Sequence, residues 1–399
     1  MTRGDMVDVA VVGGGVVGTA TALGLARGGA TVALVEAQVP APWQRSNADL
    51  RVYAFAPDNA AWLESLDVWR AITSARAPPY RAMRVWDAAG GGELAFDADA
   101  FARPQLGWIV EHALLVDRLW HAAERAGVEL HAPDTVQAMQ VESKHVSLEL
   151  ADGGRVRARW VVAADGADSR IREWAGIAAA AHDYGQRGVV AFIDTEQPHA
   201  QTCWQRFQPG GPLAVLPFVD ADGGGAHRSS IVWTLPDADA QRVLDLDDDA
   251  FGSALTDAFG GRLGAMTTAS PRVAFPLRRQ LARSLRSGRV LVVGDAAHVV
   301  HPLAGQGVNL GLRDASALCA ALGRAGGGAS ATSTSRLDRW ARTRRSENAV
   351  AAGTFEALNR LFSSDALAPT LLRGPLLGLA GRARPVVHAL WQRAAGLAP

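Results

Sequence analysis

The sequence predicts an α/β protein with one mostly parallel sheet, a separate antiparallel sheet and a helical C-terminal region. A short apolar strand at residues 7–12 runs into a glycine-rich turn and an apolar helix. Two further apolar strands, at residues 160–164 and 290–293, are each followed by a glycine and an aspartate. Between residues 184 and 233, apolar residues alternate and are separated by Pro and Gly turns, which is typical of antiparallel strands.

Composition limits the class of protein. The chain has 399 residues, of which 48% are hydrophobic and 20% are charged, enough for two or three domains with ordinary cores. A formal net charge of zero argues against a nucleic-acid-binding surface over the whole molecule. Cys203 and Cys319 have neither metal-site nor disulfide-framework spacing. With no signal peptide and no run near the ~20 apolar residues of a membrane helix, we expect a cytoplasmic protein, soluble or peripheral to the inner membrane.

The first glycine turn has the spacing of a dinucleotide-binding fingerprint. Gly13 permits the tight turn, Gly15 lets the backbone approach a pyrophosphate, and Gly18 lets the helix pack closely on the strand. Glu36 ends the second strand, at residues 31–35, where a carboxylate can accept hydrogen bonds from ribose hydroxyls. This pattern predicts a bound dinucleotide but does not distinguish NAD from FAD.

A second cofactor-binding segment is predicted at residues 289–314. The strand ends at Gly294 and Asp295, a loop follows, and Gly305 and Gly307 introduce a helix. Unpaired backbone N–H groups at the start of that helix would face whatever the loop encloses.

The remaining pattern predicts three regions. Helices are expected at residues 56–66, 113–126, 245–263, 310–322 and 337–361, and residues 326–335 have the composition of a linker. We assign residues 1–75, 102–183 and 280–350 to a nucleotide-binding domain, 76–101 and 184–279 to an antiparallel substrate domain, and 351–399 to a helical C-terminal region.

Three motifs together resemble a known family. The first glycine turn, the segment from Asp165 and Gly166 to Arg172, and the segment from Gly294 to Asp314 resemble the flavin-dependent aromatic hydroxylases of the para-hydroxybenzoate hydroxylase type. The stretch from His301 to Asp314 resembles, more narrowly, the ubiquinone-biosynthesis hydroxylases of the UbiH/UbiF/VisC type. The resemblance covers essentially the whole chain. It implies that the first domain is an FAD-binding, Rossmann-like domain of the glutathione reductase type.

The resemblance also implies positions that contact FAD. Arg51 would reach the dinucleotide, the backbone of Val136 the adenine and Asp295 the ribityl chain, while the 302–309 loop would flank the isoalloxazine. His112 departs from the family, which usually has Asn, Arg or Gln there. The implied contacts are Gly13, Gly15, Gly18, Glu36, Arg51, His112, Val136, Asp165, Gly166, Gly294, Asp295, Pro302, Gly305, Gln306, Gly307, Val308 and Asn309.

The implied reaction is hydroxylation of an activated ring with NADH or NADPH and O₂. A C4a-hydroperoxyflavin would transfer one oxygen atom to a phenol, so no catalytic triad or metal site is expected. The chain has no second glycine fingerprint, and the 165–172 segment is therefore the candidate docking place for the reductant. Catalytic candidates are His298, His301, Pro302 and Gln306; for the two histidines, hydrogen bonding to loop backbone is the competing interpretation.

The resemblance implies a polyprenyl phenol or quinol substrate on the way to ubiquinone. A hydroxylase or epoxidase of secondary metabolism, or a flavin-retaining scaffold subunit, are the alternatives. The basic, apolar tail would either contact a membrane surface or biosynthetic complex, or pack on its own domain. Pocket candidates by alternation, each with plain core as the competing interpretation, are Phe192, Trp204, Phe207, Leu216, Phe218 and Trp233.

Overall fold

The computed structural model describes residues 6–90, 92–220, 225–300, 306–323, 334–363 and 383–397. The strands are β1 (Val7–Val12), β2 (Val32–Val35), β3 (Val52–Phe55), β4 (Pro79–Tyr80), β5 (Ala82–Asp87), β6 (Glu93–Asp97), β7 (Gly107–Glu111), β8 (Glu129–His131), β9 (Val136–Val141), β10 (Val146–Leu150), β11 (Arg155–Ala163), β12 (Ala179–Thr195), β13 (Thr202–Phe207), β14 (Leu213–Pro217), β15 (Arg228–Pro236), β16 (Met266–Thr268), β17 (Val273–Ala282), β18 (Arg286–Ser287), β19 (Val290–Val292) and β20 (His298–Val299). The helices are α1 (Val16–Arg27), α2 (Pro57–Ser65), α3 (Trp69–Arg76), α4 (His112–Arg125), α5 (Arg170–Trp174), α6 (Asp237–Leu244), α7 (Asp248–Phe259), α8 (Gln306–Gly323), α9 (Thr334–Ser363) and α10 (Arg384–Ala394).

The first sheet has a parallel centre in the order β19-β11-β1-β2-β8. The β9–β10 hairpin continues antiparallel from β11, and β18 pairs antiparallel with β19. Side chains of β2 and β19 are buried throughout, because helices such as α1, α4 and α8 cover the sheet. The predicted α/β class is confirmed, with the carboxyl ends of β1, β11 and β19 at one edge.

The second sheet has the order β20-β17-β12-β15-β14-β13-β5-β6, with β16 also paired to β12. Its pairs are antiparallel apart from β5 and β13, which run parallel. Helices α6 and α7 pack on one face. The other face turns toward the first domain, where the small sheet β3-β7-β4 meets it. The predicted antiparallel sheet is therefore confirmed as part of the fold.

Some observed helices differ from the predicted ones. The helix predicted over residues 245–263 is present as α7, which starts only at Asp248, whereas the preceding helix α6, which ends at Leu244, was not predicted. The break follows from capping, because the Asp247 carboxylate accepts a hydrogen bond from the backbone N–H of Ala250 at 2.8 Å. Helix α3 was not predicted, since its eight residues carry too short an apolar repeat.

Strands also cross the proposed domain boundaries. Strand β12 begins at Ala179 rather than near residue 184, β17 continues to Ala282, and β4 pairs with β7 in the small sheet. The division into domains remains a proposal, and these strands cross its boundaries.

The C-terminal region is helical where it is described. The Trp391 ring of α10 stacks on Phe101 with centroids 4.5 Å apart, and Arg313 Nη2 donates to the Ala394 carbonyl at 3.0 Å. This part of the tail therefore packs on its own chain; residues 364–382 lie outside the described range. No described helix is both long and apolar enough to cross a membrane.

Candidate cofactor and active site

The N-terminus of α1 is built to receive an anion. Gly13 has φ +107°, and a Cβ there would lie 2.2 Å from the Ala164 carbonyl oxygen. Gly15 caps the helix with extended backbone, without a side-chain cap, and a Cβ there would meet no atom within 4 Å. The first turn also has no acidic residue. Free N–H groups beside open space fit the diphosphate of a dinucleotide such as FAD.

Glu36 lies beside this turn. One carboxylate oxygen accepts a hydrogen bond from the Gly14 N–H, and the other accepts from the Gln38 N–H at 3.1 Å. The Glu36 carbonyl accepts from the Asp134 N–H at 2.8 Å, which brings the start of β9, and with it Val136, to the same edge. Glu36 and Val136 are thus placed together, as contacts to one adenosine would require.

The second turn adjoins the first. Gly294 has φ +61°, and a Cβ there would lie 3.2 Å from the Val17 side chain of α1. Gly311 lets α8 pack closely against this turn, because a Cβ added at Gly311 would lie 3.1 Å from the Gly294 Cα. The Asp295 side chain is exposed, and no hydrogen bond to it is found within the described residues. The carboxyl nevertheless lies in a concave part of the surface, where neighbouring protein atoms displace part of its water and so raise its pKa.

Two residues at the start of the small sheet lie near Asp295. The Arg51 guanidinium and the Tyr53 hydroxyl both interact electrostatically with the Asp295 carboxylate. The Tyr53 hydroxyl lies 2.9 Å from Nδ1 of His112, the first residue of α4. Burial, together with the Arg51 charge, lowers the pKa of His112 to about 4, so the imidazole is neutral near pH 7. We call the space lined by Gly15, Arg51, Tyr53, His112 and Asp295 the cofactor cleft.

A buried ion pair holds the segment that carries Arg51. Arg76 Nη2 donates to the Glu111 carboxylate at 2.7 Å, and both side chains are almost fully buried. The same carboxylate accepts from Trp43 Nε1 at 2.9 Å and from the Asp49 N–H at 3.0 Å. Asp49 in turn accepts from the Arg51 N–H at 2.9 Å. These charge-assisted bonds fix the backbone from residue 43 to residue 51.

The Asp165 segment bonds mainly to itself and to the second turn. The Asp165 carboxylate accepts from the Ser169 hydroxyl and from the Ile171 N–H at 3.2 Å, while Gly166 has φ +86°. Burial raises the pKa of Asp165 despite these bonds. Arg172 donates to the carbonyls of Ala167 at 2.9 Å and Ala296 at 3.1 Å. Arg172 thereby ties the segment to the turn that carries Asp295.

The start of α8 is fixed by Asn309. Its side-chain amide donates to the Ala54 carbonyl at 2.8 Å, and its side-chain oxygen accepts from the Ala56 N–H at 2.9 Å. The fully buried Asn309 side chain therefore clamps β3, so any flavin contact here would come from backbone. A Cβ on Gly307 would meet open space, and Val308 packs on the main core. Gln306 is described by its backbone alone, whereas His301, Pro302 and Gly305 lie outside the described residues.

His298 belongs to a buried polar cluster that the sequence did not predict. Its Nε2 lies 2.6 Å from Asp314 Oδ2 on α8. Asp314 also accepts from Arg344 Nε at 2.6 Å and from Asn348 on α9. Burial alone would raise the pKa of Asp314, yet the His298 and Arg344 groups hold it below its ordinary value.

The second sheet presents an apolar surface to the cofactor side. Phe192, Leu216 and Phe218 pack with Leu50 and Val52, which flank Arg51 along the chain. Trp204 and Trp233 point the other way and pack in the core beneath α6 and α7, so for these two the plain-core interpretation is correct and the pocket interpretation is wrong. Alternation identified the facing residues but could not say which face each occupied. Phe207 is buried.

The chain has clear relatives. A model of the FAD binding domain family matches residues 6–352. The 3-demethoxyubiquinol 3-hydroxylase of Escherichia coli (strain K12) is 37% identical over 313 residues, covering 78% of this chain and 78% of that protein. Ubiquinone hydroxylase UbiL of Rhodospirillum rubrum is 34% identical over 392 residues, covering 98% of this chain and 89% of that protein. The crystal structure of p-nitrophenol 4-monooxygenase PnpA from Pseudomonas putida DLL-E4 shares the fold, with TM-score 0.77 and 20% identity over 98% of both chains.

Proposed function

This chain belongs to the family of FAD-binding monooxygenases that includes the ubiquinone hydroxylases, and we propose that it hydroxylates a polyprenyl phenol or quinol ring on the way to ubiquinone. The reductant would be NADH or NADPH, and O₂ would supply the oxygen atom. The observation that carries the proposal is the arrangement of residues 50–54: Arg51 and Tyr53 face the cofactor cleft, while Leu50, Val52 and Ala54 pack with the apolar sheet.

The residues of the cofactor cleft have separable roles in this proposal. The N–H groups at Gly15 would hold the diphosphate, Glu36 the adenosine ribose and Asp295 the ribityl hydroxyls. Arg51 would add positive charge near the diphosphate, and the neutral Tyr53–His112 pair would offer hydrogen bonds without a second charge. When bound, FAD supplies the electron transfer and oxygen activation that amino-acid side chains lack.

The apolar sheet residues would position the ring and exclude water. Phe192 and Phe218 lie with ring centroids 4.5 Å apart, and both are nearly fully buried. An aromatic substrate held against such a surface is kept from bulk water, which favours oxygen transfer over loss of peroxide. No acid–base residue is assigned, since an electron-rich phenol needs little activation by the protein.

The reductant would dock near the exposed Asp168–Arg278 pair. These side chains are bonded at 2.9 Å at the surface of the 165–172 segment, and Arg278 also acts on the charge of Asp295. Asp165 bonds within its own segment and Arg172 bonds to the carbonyls of Ala167 and Ala296, so they would shape this surface rather than bind the nicotinamide.

Peripheral membrane contact is proposed for the outer side of α10 and the residues just after it. Leu390 and Leu397 are 45% and 37% exposed, and Arg393 lies between them in sequence. Apolar side chains beside a cation suit an anionic lipid surface. Replacing both leucines by Glu should abolish co-sedimentation with anionic vesicles while Trp391 still packs and FAD stays bound. Undiminished co-sedimentation of that variant would contradict the contact.

Gene deletion tests the function directly. A deletion strain should lose ubiquinone and accumulate an intermediate that lacks one ring hydroxyl, identified by mass. The wild-type gene should restore ubiquinone, whereas a gene encoding Asp295→Ala should not. An unchanged ubiquinone pool would contradict the proposed pathway and favour a hydroxylase of secondary metabolism. Purified protein without phenol-stimulated NAD(P)H oxidation would favour a scaffold.

A further inference from the structure

Strand β3 holds both the backbone and the ring of His112. Tyr53 lies opposite Val110 in the β3–β7 pair, and His112 follows β7 as the first residue of α4. The Tyr53 hydroxyl lies 2.9 Å from Nδ1 of His112, and the two rings meet edge to face with centroids 5.9 Å apart. The backbone N–H of His112 donates to the Arg51 carbonyl at 2.9 Å. The orientation of the imidazole is therefore fixed by its neighbours on β3.

Arg51 decides the direction of the bond between Tyr53 and His112. The Arg51 guanidinium acts on the Tyr53 oxygen both as a charge and as a hydrogen-bond donor. A guanidinium cannot accept a hydrogen bond, and a hydroxyl that accepts from a cation becomes a stronger donor, so the Tyr53 proton is directed to Nδ1 of His112. Burial, together with the Arg51 charge, lowers the pKa of His112 to about 4, so near pH 7 the ring carries a single proton. With Nδ1 as the acceptor, that proton is on Nε2.

Nε2 of His112 is the ring nitrogen that a ligand can reach. It makes no hydrogen bond within the described residues, yet it is not among the polar atoms that the protein encloses completely. Helix α4 packs beside the first glycine turn, since a Cβ at Gly14 would lie 2.7 Å from the Trp120 ring. At the other side of the cofactor cleft, Tyr53 interacts electrostatically with Asp295. His112 thus lies between the turn proposed for the diphosphate and the turn proposed for the ribityl chain.

We propose that Tyr53 is a positioning residue for FAD, because it fixes the His112 tautomer in which the Nε2 N–H donates to a phosphate oxygen of the cofactor. The inference rests on the place proposed for FAD in the cofactor cleft and does not depend on which ring is hydroxylated. In the other tautomer, Nε2 would present a lone pair to the phosphate and repel it. The pair of Tyr53 and His112 supplies a directed donor without adding a second positive charge beside Arg51.

Titration of the FAD-free full chain with FAD, followed by flavin fluorescence, measures the first consequence. In Tyr53→Phe, the Kd of FAD should rise about three- to tenfold, because a hydrogen bond to a charged group is weakened. In His112→Ala, the Kd should rise by about tenfold or more. Adding Tyr53→Phe to His112→Ala should change the Kd by less than about twofold, because Tyr53 acts through the imidazole.

Tyr80→Phe is the matched control. Tyr80 lies on β4 of the same small sheet but packs in the apolar cluster with Phe192. Removing its hydroxyl should leave the Kd of FAD within about twofold of wild type. Thermal unfolding of the FAD-free Tyr53→Phe variant should match wild type, since the phenyl ring keeps the edge-to-face contact with His112.

Nitrogen NMR of the histidine rings detects the tautomer without any reference to affinity. The chain has ten histidines, so the His112 signals are those that disappear in His112→Ala. At pH 7.5 the wild-type protein should carry the His112 proton on Nε2 both before and after FAD is added. Tyr53→Phe should show a mixture of the two tautomers before FAD is added.

Three results would overturn the proposal. The first is a wild-type protein with the His112 proton on Nδ1, and the second is an unchanged Kd of FAD in Tyr53→Phe. The third is a loss from Tyr53→Phe that persists in full in His112→Ala, which would mean that Tyr53 acts through Arg51 or through packing. Failure of the proposed function is distinguishable: FAD affinity would still depend on Tyr53 and His112, but no phenol would stimulate NAD(P)H oxidation.

Discussion

Nε2 of His298 lies 2.6 Å from Oδ2 of Asp314, with both side chains buried. The pair joins β20, just after the turn that carries Asp295, to the helix that follows the 301–305 segment. Arg344 and Asn348 bind the same carboxylate from α9. Strand β20 and helices α8 and α9 are therefore joined through one buried negative charge.

Asp314→Asn should lower the free energy of unfolding by about 3 kcal/mol, because it removes the buried carboxylate that pairs with both Arg344 and His298. Thermal or urea unfolding of the FAD-loaded protein measures this loss. Asp168→Asn is the control: its pair with Arg278 is exposed, so the loss should stay below about 1 kcal/mol. Equal losses in the two variants would show that the buried cluster has no special role.

His112 should make the protein less stable in mild acid. Its pKa falls from 6.5 to about 4 on folding, so the unfolded chain binds more protons between these values. The free energy of unfolding should therefore rise with pH from about 4 to 6.5 and then level off. The total increase over this pH range should be roughly 3 kcal/mol. Unfolding measured at pH 5 and pH 7.5 tests this slope.

His112→Asn is the matched variant for that slope. Asn keeps a hydrogen-bonding group for Tyr53 but does not titrate, so the loss of stability between pH 7.5 and pH 5 should shrink by comparison with wild type. An unchanged pH dependence would mean that other groups cause the acid sensitivity and that His112 is not buried neutral.

Two glycines of the first turn should respond differently to alanine. Gly15→Ala places a methyl group in open space, so the protein should fold and melt as wild type without FAD, yet bind FAD at least tenfold more weakly. Gly13→Ala puts a Cβ 2.2 Å from the Ala164 oxygen at positive φ, so folding itself should suffer. FAD titration and unfolding of the apoproteins separate these effects. Normal FAD affinity in Gly15→Ala would contradict the position assigned to the diphosphate.

Asp295 and Asp165 should likewise differ. Asp295 has no hydrogen-bond partner within the described residues, so Asp295→Ala should lose FAD while the apoprotein keeps its stability. Asp165 accepts bonds from Ser169 and Ile171, so Asp165→Ala should lower stability by about 1–3 kcal/mol. Flavin content after purification and thermal unfolding measure both. Full FAD retention in Asp295→Ala would contradict its assignment to the ribityl chain.

Local patterns predicted much of this architecture. The strand, glycine turn and helix around Gly13 are encoded within some twenty consecutive residues, and so is the turn at Gly294. Each turn needs a glycine for a conformation or an approach that other residues resist, so the pattern is visible without any tertiary contact.

Long-range contacts could not be predicted from the sequence. Tyr53 and His112 meet because β3 and β7 pair, and His298 meets Asp314 because α8 folds back on β20. Glu111 and Arg76 are 35 residues apart and form a buried ion pair that no periodic pattern in the sequence predicts. The alternating strand residues near Phe192 and Trp233 were recognised as buried, but only sheet pairing assigns them to opposite faces.

The most direct test of the central claim is oxygen transfer by the purified protein. The FAD-loaded enzyme is given NADH or NADPH, 2-prenylphenol and isotopically heavy dioxygen, and the product is analysed by mass spectrometry. The account predicts a ring-hydroxylated product containing one heavy oxygen atom. NAD(P)H consumption that yields only hydrogen peroxide, or a product whose new oxygen comes from water, would contradict it.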